Sequence, residues 1–297
     1  MTSSGQYPKN APEIYGVVGY PVNHSLSPGM HNAAFKSLGI NANYLAFEIK
    51  PDVLPLFLKQ LNKLGISGVN LTLPHKEIAY KYLRNMSKEA RETGTVNTIK
   101  NTNGKLFGES TDAYGLLASL KEEFKLTSLK NKSILLLGAG GAASAVAGKL
   151  ASSGIKTLYI ANRTQEKAVR LAEKTESSSS TRCFVIPLDD KAVSMVISDV
   201  DLLINATSSG LKLTDKPPVT WSALRKGLLV YDMIYNPPIT PLLKEAKKAG
   251  AICANGLGML LHQGARAFTI WTGKKAPLTV MRNALSKSVK SSCKQKS

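Results

Sequence analysis

The feature that most limits what this chain can fold into is the run Gly138-Ala139-Gly140-Gly141-Ala142-Ala143. It lies between an apolar strand-like stretch, Ser133 to Leu137, and a long small-residue helix reaching Ser152. Small residues at this spacing permit a tight reversal at Gly138, close approach of backbone to a ligand at Gly140, and close helix–strand contact at Ala143. The helix that follows offers unpaired N–H groups and the positive end of its dipole, which suits a phosphate. A glycine-rich turn that only packs a helix on a sheet is the plainer alternative; the strand–turn–helix–strand setting favours a dinucleotide. The next strand ends in Ala161-Asn162-Arg163-Thr164, without the acid that usually takes a ribose 2′-hydroxyl. Arg163 is placed instead to meet a 2′-phosphate, with Asn162 and Thr164 as donors and Lys167 one turn on, so NADP is expected over NAD.

The rest of the chain repeats the same alternation. Strands are predicted at Glu13 to Gly19, Asn43 to Ile49 and Val69 to Leu73, with helices at Pro28 to Leu38, Val53 to Leu64 and about Pro74 to Leu83. Val96 to Lys100 and Lys105 to Gly108 form a hairpin through Asn103-Gly104. A helix from Thr111 to Phe124 leads into the second series, with strands at Thr157 to Ala161, Cys183 to Pro187, Asp201 to Asn205, Leu228 to Asp232 and Ile252 to Ala254. The four-serine run Ser177 to Ser180 reads as a mobile loop, and Leu257 to Trp271 as a helix. Repeated β-α units with short links imply a largely parallel sheet covered by helices. The expectation is an α/β protein of two α/β domains, with a cleft between them as the site.

Composition removes several function classes. The stretch from Ile134 to Ala151 holds four glycines and Lys149, a poor membrane span. The opening MTSSGQYPKN lacks the apolar core of a signal peptide, so a cytoplasmic protein is expected. Cys183, Cys253 and Cys293 are scattered, and four histidines (His24, His31, His75, His262) show no ligand spacing, so neither a disulfide framework nor a protein-built metal site is expected. The net charge of +19 could signal nucleic acid, but seven basic residues fall between Lys274 and Ser297 with no acid among them. The end, SKSVKSSCKQKS, reads as a solvated tail, and no specific nucleic-acid partner is expected.

Three clusters in the first half have chemistry to spare. In Ser25-Leu26-Ser27-Pro28, Ser27 reads as a helix N-cap with Pro28 at the first helical position. Ser25 is surplus to capping, and the two hydroxyls with the helix dipole would suit a small carboxylate. In Asn70-Leu71-Thr72-Leu73-Pro74-His75-Lys76, period two places Asn70 and Thr72 on one strand face. Lys76 then falls in the first turn of a helix, where the macrodipole opposes it, so stability alone would not choose it and acid–base work would. The third cluster joins Thr95-Val96-Asn97-Thr98 to Glu109-Ser110-Thr111-Asp112 across the hairpin. That pairing can bring Asn97 and Asp112 toward each other, and an acid near Lys76 would hold the ammonium in place.

Together these residues resemble the shikimate dehydrogenase family, NADP-dependent enzymes that interconvert 3-dehydroshikimate and shikimate in aromatic amino-acid biosynthesis. The resemblance runs from about Tyr15 to Leu285. Gly19-Tyr20-Pro21-Val22-Asn23-His24-Ser25-Leu26-Ser27-Pro28 is similar to the family's N-terminal signature, which implies that Ser25 and Ser27 bind the substrate carboxylate. Asn70, Thr72 and Lys76 match its N-x-T-x-P-x-K motif, implying substrate contacts and a catalytic acid/base at Lys76. Asn97 and Asp112 fall where the family places further contacts to the substrate ring, Asp112 also partnering the lysine. Asn205-Ala206-Thr207-Ser208-Ser209-Gly210 resembles the loop near the nicotinamide, with Thr207 among the cofactor contacts. The segment Tyr231 to Pro237 implies Met233 against cofactor and Tyr235 against substrate. Gly256-Leu257-Gly258-Met259-Leu260-Leu261-His262-Gln263 is similar to the returning helix, with Gly256 and Met259 near cofactor and Gln263 on a substrate hydroxyl. The resemblance implies a mainly parallel-sheet substrate domain, residues 1–111 completed by 255–297 through a returning C-terminal helix. Residues 112–254 would form a Rossmann-type NADP-binding domain, and the protein would be a monomer or homodimer with no membrane partner.

The chain departs from the family pattern at Thr95, for the usual alanine, at Ala113, for the usual glycine, and at Lys88, a position often acidic. Two other readings stay open. Quinate/shikimate dehydrogenases share the fold with broader substrate or cofactor use, and a non-catalytic protein could use the basic end on nucleic acid. A glutamyl-tRNA reductase-like relative does not fit the clusters of the first half.

Overall fold

The computed structural model describes residues 11–212 and 214–294. Within them the chain divides into two units: the first takes residues up to Arg91, Thr95–Thr111 and residues from Gly264 on, and the second Glu92–Gly94 and Asp112–Gln263. The reading of the opening decapeptide as leaderless lies outside the described residues. Among those described, no helix is long and apolar enough to cross a membrane.

The chain begins with β1 (Glu13–Gly19), α1 (Ser27–Ser37), β2 (Ala42–Glu48), α2 (Leu54–Gln60), β3 (Ile66–Leu71), α3 (His75–Tyr82) and α4 (Lys88–Thr93). The hairpin strands β4 (Thr98–Thr102) and β5 (Lys105–Glu109) complete a sheet of order β2-β1-β3-β4-β5. β1 pairs in parallel with β2 and β3, and the hairpin adds antiparallel strands at the β3 edge. Side chains alternate between two cores. Val18, Val69 and Leu71 face Leu54, Leu58 and Ala79 of the helices. On the opposite face Tyr15, His31, Phe35, Tyr44, Phe268 and Trp271 form a ring cluster. Trp271 lies so near Gly68 that a Cβ there would strike its indole, whose Nε1 donates to Ile99 O at 3.0 Å. Only glycine fits that strand position.

The second series runs α5 (Asp112–Glu123), β6 (Ser133–Leu137), α6 (Gly141–Ser152), β7 (Thr157–Asn162), α7 (Gln165–Glu176), β8 (Arg182–Pro187), α8 (Asp190–Val196), β9 (Leu202–Asn205), β10 (Leu229–Asp232), α9 (Pro241–Lys248) and β11 (Ile252–Asn255). Its six strands are all parallel in the order β11-β10-β9-β6-β7-β8. That is the doubly wound order, with its reversal between β6 and β9, where ligands bind beyond the carboxyl ends of the strands. The unbroken apolar run of β6 follows from burial on both faces. Ile134 and Leu136 pack with α5 and α6, while Leu135 and Leu137 pack with α8 and α9. Two helices close the chain, α10 (Leu257–Thr272) and α11 (Leu278–Lys294).

Several local expectations are corrected. α1 starts at Ser27 with Leu26 as N-cap, so Ser27 is helical rather than capping, and Pro28 is the second helical residue. α2 ends at Gln60 because buried Leu61 gives its carbonyl to Ile66 N at 2.9 Å, turning the chain into β3. Helix α4 went unread, being short and strongly charged. The serine run follows the end of α7, where the Ser177 and Ser179 hydroxyls donate to the carbonyls of Lys174 and Thr175 at 2.9 Å. The basic end is helical to Lys294 rather than a tail. Met281 and Leu285 are buried, and Gly29 of α1 lets Ser288 come close beyond them.

Candidate active site

In the first unit, the loop after β1 and the turn after β3 carry the expected substrate residues. Half-buried Ser25 accepts from Ser27 N through its hydroxyl at 3.3 Å, so it steadies the start of α1 as well as being available there. Ser27 is buried, and its side chain eases the pKa rise that burial imposes on the Tyr44 phenol. The Tyr44 hydroxyl donates to Asn70 Oδ1 at 2.7 Å, while Asn70 Nδ2 donates to Thr98 Oγ1 at 2.9 Å and Asn97 O at 3.2 Å. Asn97 in turn grips the chain just before α5: its Oδ1 accepts from Thr111 N at 2.8 Å and its Nδ2 donates to Thr111 Oγ1 at 2.9 Å. One buried polar chain therefore links Tyr44, the β3 cluster and the hairpin cluster.

Tyr44 is the member that the sequence did not disclose, because a tyrosine in mid-strand reads as core. Burial holds its phenol well above its ordinary pKa, so it stays a neutral donor. Its ring stacks on His31 with centroids 4.3 Å apart and planes 4° from parallel. The imidazole is itself buried, and burial pushes it down to about 3, so it remains uncharged. Thr72 follows the end of β3, its N–H donating to Val18 O at 2.9 Å and its carbonyl accepting from His75 N at 2.9 Å. That turn delivers Lys76, half-buried, as the second residue of α3.

The remaining residues expected to contact substrate lie in the second unit. Asp112 is buried at the first position of α5, and Gln263 is buried on α10. Gly115 brings these helices together: a Cβ there would lie 2.8 Å from both Gln263 Cβ and Met259 O. Tyr235 is half-buried in the loop after β10, and burial raises its phenol pKa.

The residues expected to contact cofactor gather beyond the carboxyl ends of β6, β7, β9, β10 and β11. Gly138 has φ of +106°, and a Cβ there would approach Ala206 O at 3.1 Å and Thr207 Cγ2 at 3.2 Å. Glycine is therefore what lets the β6 turn lie against the 205–210 loop. Gly140 caps α6 with no side chain, and a Cβ there would meet nothing within 4 Å. Open space thus lies over the helix start, next to half-buried Ala139, Gly141 and Ala142. Ala143 is fully buried in the core. Beyond β7, Asn162 Nδ2 donates to Thr164 O at 2.7 Å, shaping the turn that leaves Arg163, Thr164 and Lys167 exposed. A depression of about 200 Å³ is lined by Ala139, Ser144, Lys167, Arg170, Leu171 and Lys174. Arg170 and Lys174 extend the cationic wall one and two turns past the residues expected from sequence. Gly256 lies against Met233, where a Cβ would strike the Met233 carbonyl, and Met259 N donates to the Tyr231 hydroxyl at 3.2 Å. An NADP molecule fits this set: an open glycine cradle at a helix start, and cations without an acid at the end of β7.

Comparison with known proteins agrees with this geometry. Residues 17–99 match the family of the shikimate dehydrogenase substrate binding domain, residues 119–253 that of shikimate/quinate 5-dehydrogenase, and residues 256–285 that of the shikimate 5'-dehydrogenase C-terminal domain. A shikimate dehydrogenase (NADP(+)) of Methanopyrus kandleri is 45% identical over 274 residues, covering 92% of this chain and 94% of the relative. The crystal structure of a shikimate dehydrogenase in complex with NADP+ superposes with a TM-score of 0.86 at 41% identity, covering 95% of this chain and 99% of that one. The Thermus thermophilus enzyme in complex with NADP(H) and shikimate gives 0.82 at 37% identity, covering 93% and 99%.

Proposed function

The chain belongs to the shikimate dehydrogenase family, and on that premise we propose how its residues catalyse the NADP-dependent, reversible reduction of 3-dehydroshikimate to shikimate. It is an oxidoreductase of the shikimate pathway. The observation that carries the residue assignment is the buried chain Tyr44–Asn70–Thr98, which fixes the strand whose next turn presents Lys76.

Ser25 and Ser27 hold the substrate carboxylate. Asn70, Thr72, Asn97, Asp112, Tyr235 and Gln263 hold the ring hydroxyls. Gly138 to Ala142 take the pyrophosphate of NADP, Asn162, Arg163, Thr164 and Lys167 its 2′-phosphate, and Thr207, Met233, Gly256 and Met259 its nicotinamide half. When bound, the reduced cofactor supplies a hydride to the ketone carbon. Lys76 gives a proton to the oxygen that becomes the alcohol, and takes one from it in the reverse direction. Asp112 partners the ammonium and keeps it aimed at that oxygen, so the developing charge meets a positioned cation.

In this reading the substrate domain is residues 1–111 with 255–297, and 112–254 is the cofactor domain. A cytoplasmic monomer or homodimer suits such an enzyme. The test is incubation with shikimate and NADP, with the product identified by chromatography. One 3-dehydroshikimate formed per NADPH supports the assignment, and NADPH without that product contradicts it. Quinate/shikimate dehydrogenase remains the second reading, since the family matched over residues 119–253 spans both activities.

The Tyr44 link makes a further expectation. Tyr44→Phe keeps the stacked ring and removes one buried hydrogen bond, worth ~1–1.5 kcal/mol. KM for shikimate should rise about five- to tenfold, with KM for NADP unchanged. Steady-state kinetics with each substrate varied checks this, and an unchanged shikimate KM would separate Tyr44 from the site.

A further inference from the structure

Asp232 ends β10 and is fully buried, yet none of the roles assigned above uses it. Its carboxylate gathers three donors from three places. Asn205 Nδ2 at the end of β9 reaches Oδ1 at 3.0 Å, Ile234 N of the following loop reaches Oδ1 at 3.0 Å, and the Thr240 hydroxyl reaches Oδ2 at 2.5 Å. Each donor carries the hold further. Asn205 Oδ1 accepts from Thr207 N at 3.0 Å and Thr207 Oγ1 at 2.7 Å, which folds the 205–210 loop. Thr240 is the N-cap of α9, accepting from Leu243 N at 3.3 Å, and is buried. Asn205 O accepts from Met233 N, and Ile234 O accepts from Gly256 N at 3.1 Å. The two loops also touch through Gly210, where a Cβ would lie 3.3 Å from Thr240 Cβ.

A buried carboxylate is a costly way to join loops, and apolar packing of the same volume would serve stability as well or better. Burial pushes this carboxyl up to about 6 against the pull of its three hydrogen bonds. Its two oxygens accept from all three donors. The segments it joins carry Thr207, Met233 and Tyr235, Ile234 holds Gly256 through its carbonyl, and both segments lie at the carboxyl ends of the strands.

We infer that Asp232 is a positioning residue that locks the 205–210 and 232–240 loops in the one arrangement able to receive the nicotinamide half of the cofactor. The inference rests on the NADP reading above. Asp232 touches neither reacting atom nor proton; it acts through Thr207, Met233 and Gly256. The adenosine half is held elsewhere, at the β6 turn and after β7, so the two halves of the ligand report separately on it.

Asp232→Asn is the informative variant. Its amide can still accept from Asn205 and Ile234, but it turns an NH₂ toward Thr240, whose hydroxyl proton then loses its acceptor. Affinity for NADPH, read by quenching of protein fluorescence, should weaken about tenfold, the scale of one hydrogen bond to a charged group. Affinity for adenosine 2′,5′-bisphosphate should not change. Thr240→Val should reproduce the pattern and Thr240→Ser should restore NADPH binding, which keeps the inference testable if Asp232→Asn fails to fold. Equal weakening of both ligands, or of neither, overturns it. Wild-type protein that fails to bind NADPH at all would remove the underlying cofactor reading before any variant is compared.

Discussion

Lys76→Ala should lower kcat by about 10²–10⁴, the range for losing one positioned general acid–base group, while the dissociation constant of NADPH stays as in the parent. The fold should tolerate the change. Lys76 is half-buried in the first turn of α3, alanine is a better helix former there, and one link from Lys76 to the segment before β4 runs through its backbone carbonyl, which accepts from Val96 N at 3.1 Å. The proposed cofactor residues lie in the second unit and Lys76 in the first, which is why turnover and NADPH affinity should part company. Stopped-assay turnover with saturating shikimate and NADP, beside a direct NADPH titration, reads both quantities. Near-parent kcat would remove the acid–base role from this residue.

Arg163→Ala should raise KM for NADP by about 10- to 100-fold, because a charge-assisted hydrogen bond to phosphate contributes ~1.5–3 kcal/mol. KM for NAD should hardly move, since NAD brings no 2′-phosphate. The preference for NADP should therefore collapse by the same factor. The guanidinium is exposed at the end of β7, and no acid stands among residues 161–164 to prefer a free ribose hydroxyl. Its Lys counterpart would not be equivalent, as only arginine offers a planar fork to a phosphate. Thr164, Lys167, Arg170 and Lys174 would retain part of the attraction, so the loss is not total. The ratio of kcat/KM for the two cofactors is the readout, and an unchanged ratio would place the 2′-phosphate elsewhere.

What could be read from sequence followed from short-range physics. The apolar run Ser133 to Leu137, Gly138 and the small helix after it allow only one local solution, and the structure has it, down to the positive φ at Gly138. That these six strands run parallel needed no more than alternation and short links, whereas their order in the sheet did not follow from either. Helix ends were less legible, because tertiary contacts decide them: Leu61 surrenders its carbonyl to β3, and α11 persists because Gly29 admits Ser288. Charged α4 offered no apolar period to detect.

The candidate site was legible wherever a motif named residues close in sequence. It was not legible where partners come from far apart. Tyr44 meets Asn70 across β1, and His31 lies beneath its ring, a union of two strands and a helix that no local pattern encodes. Asp232, Asn205 and Thr240 are likewise separated in sequence, and each alone reads as a strand end or a helix cap. Arg170 and Lys174 read as an ordinary solvated helix face until the depression beside Ala139 places them at the cofactor side.

The most direct test of the central claim is a cofactor-reduction assay that crosses shikimate and quinate with NADP and NAD. The account predicts that turnover is concentrated in the shikimate–NADP pair. Comparable kcat/KM with quinate or with NAD would contradict it and move the chain to the broader branch of its family.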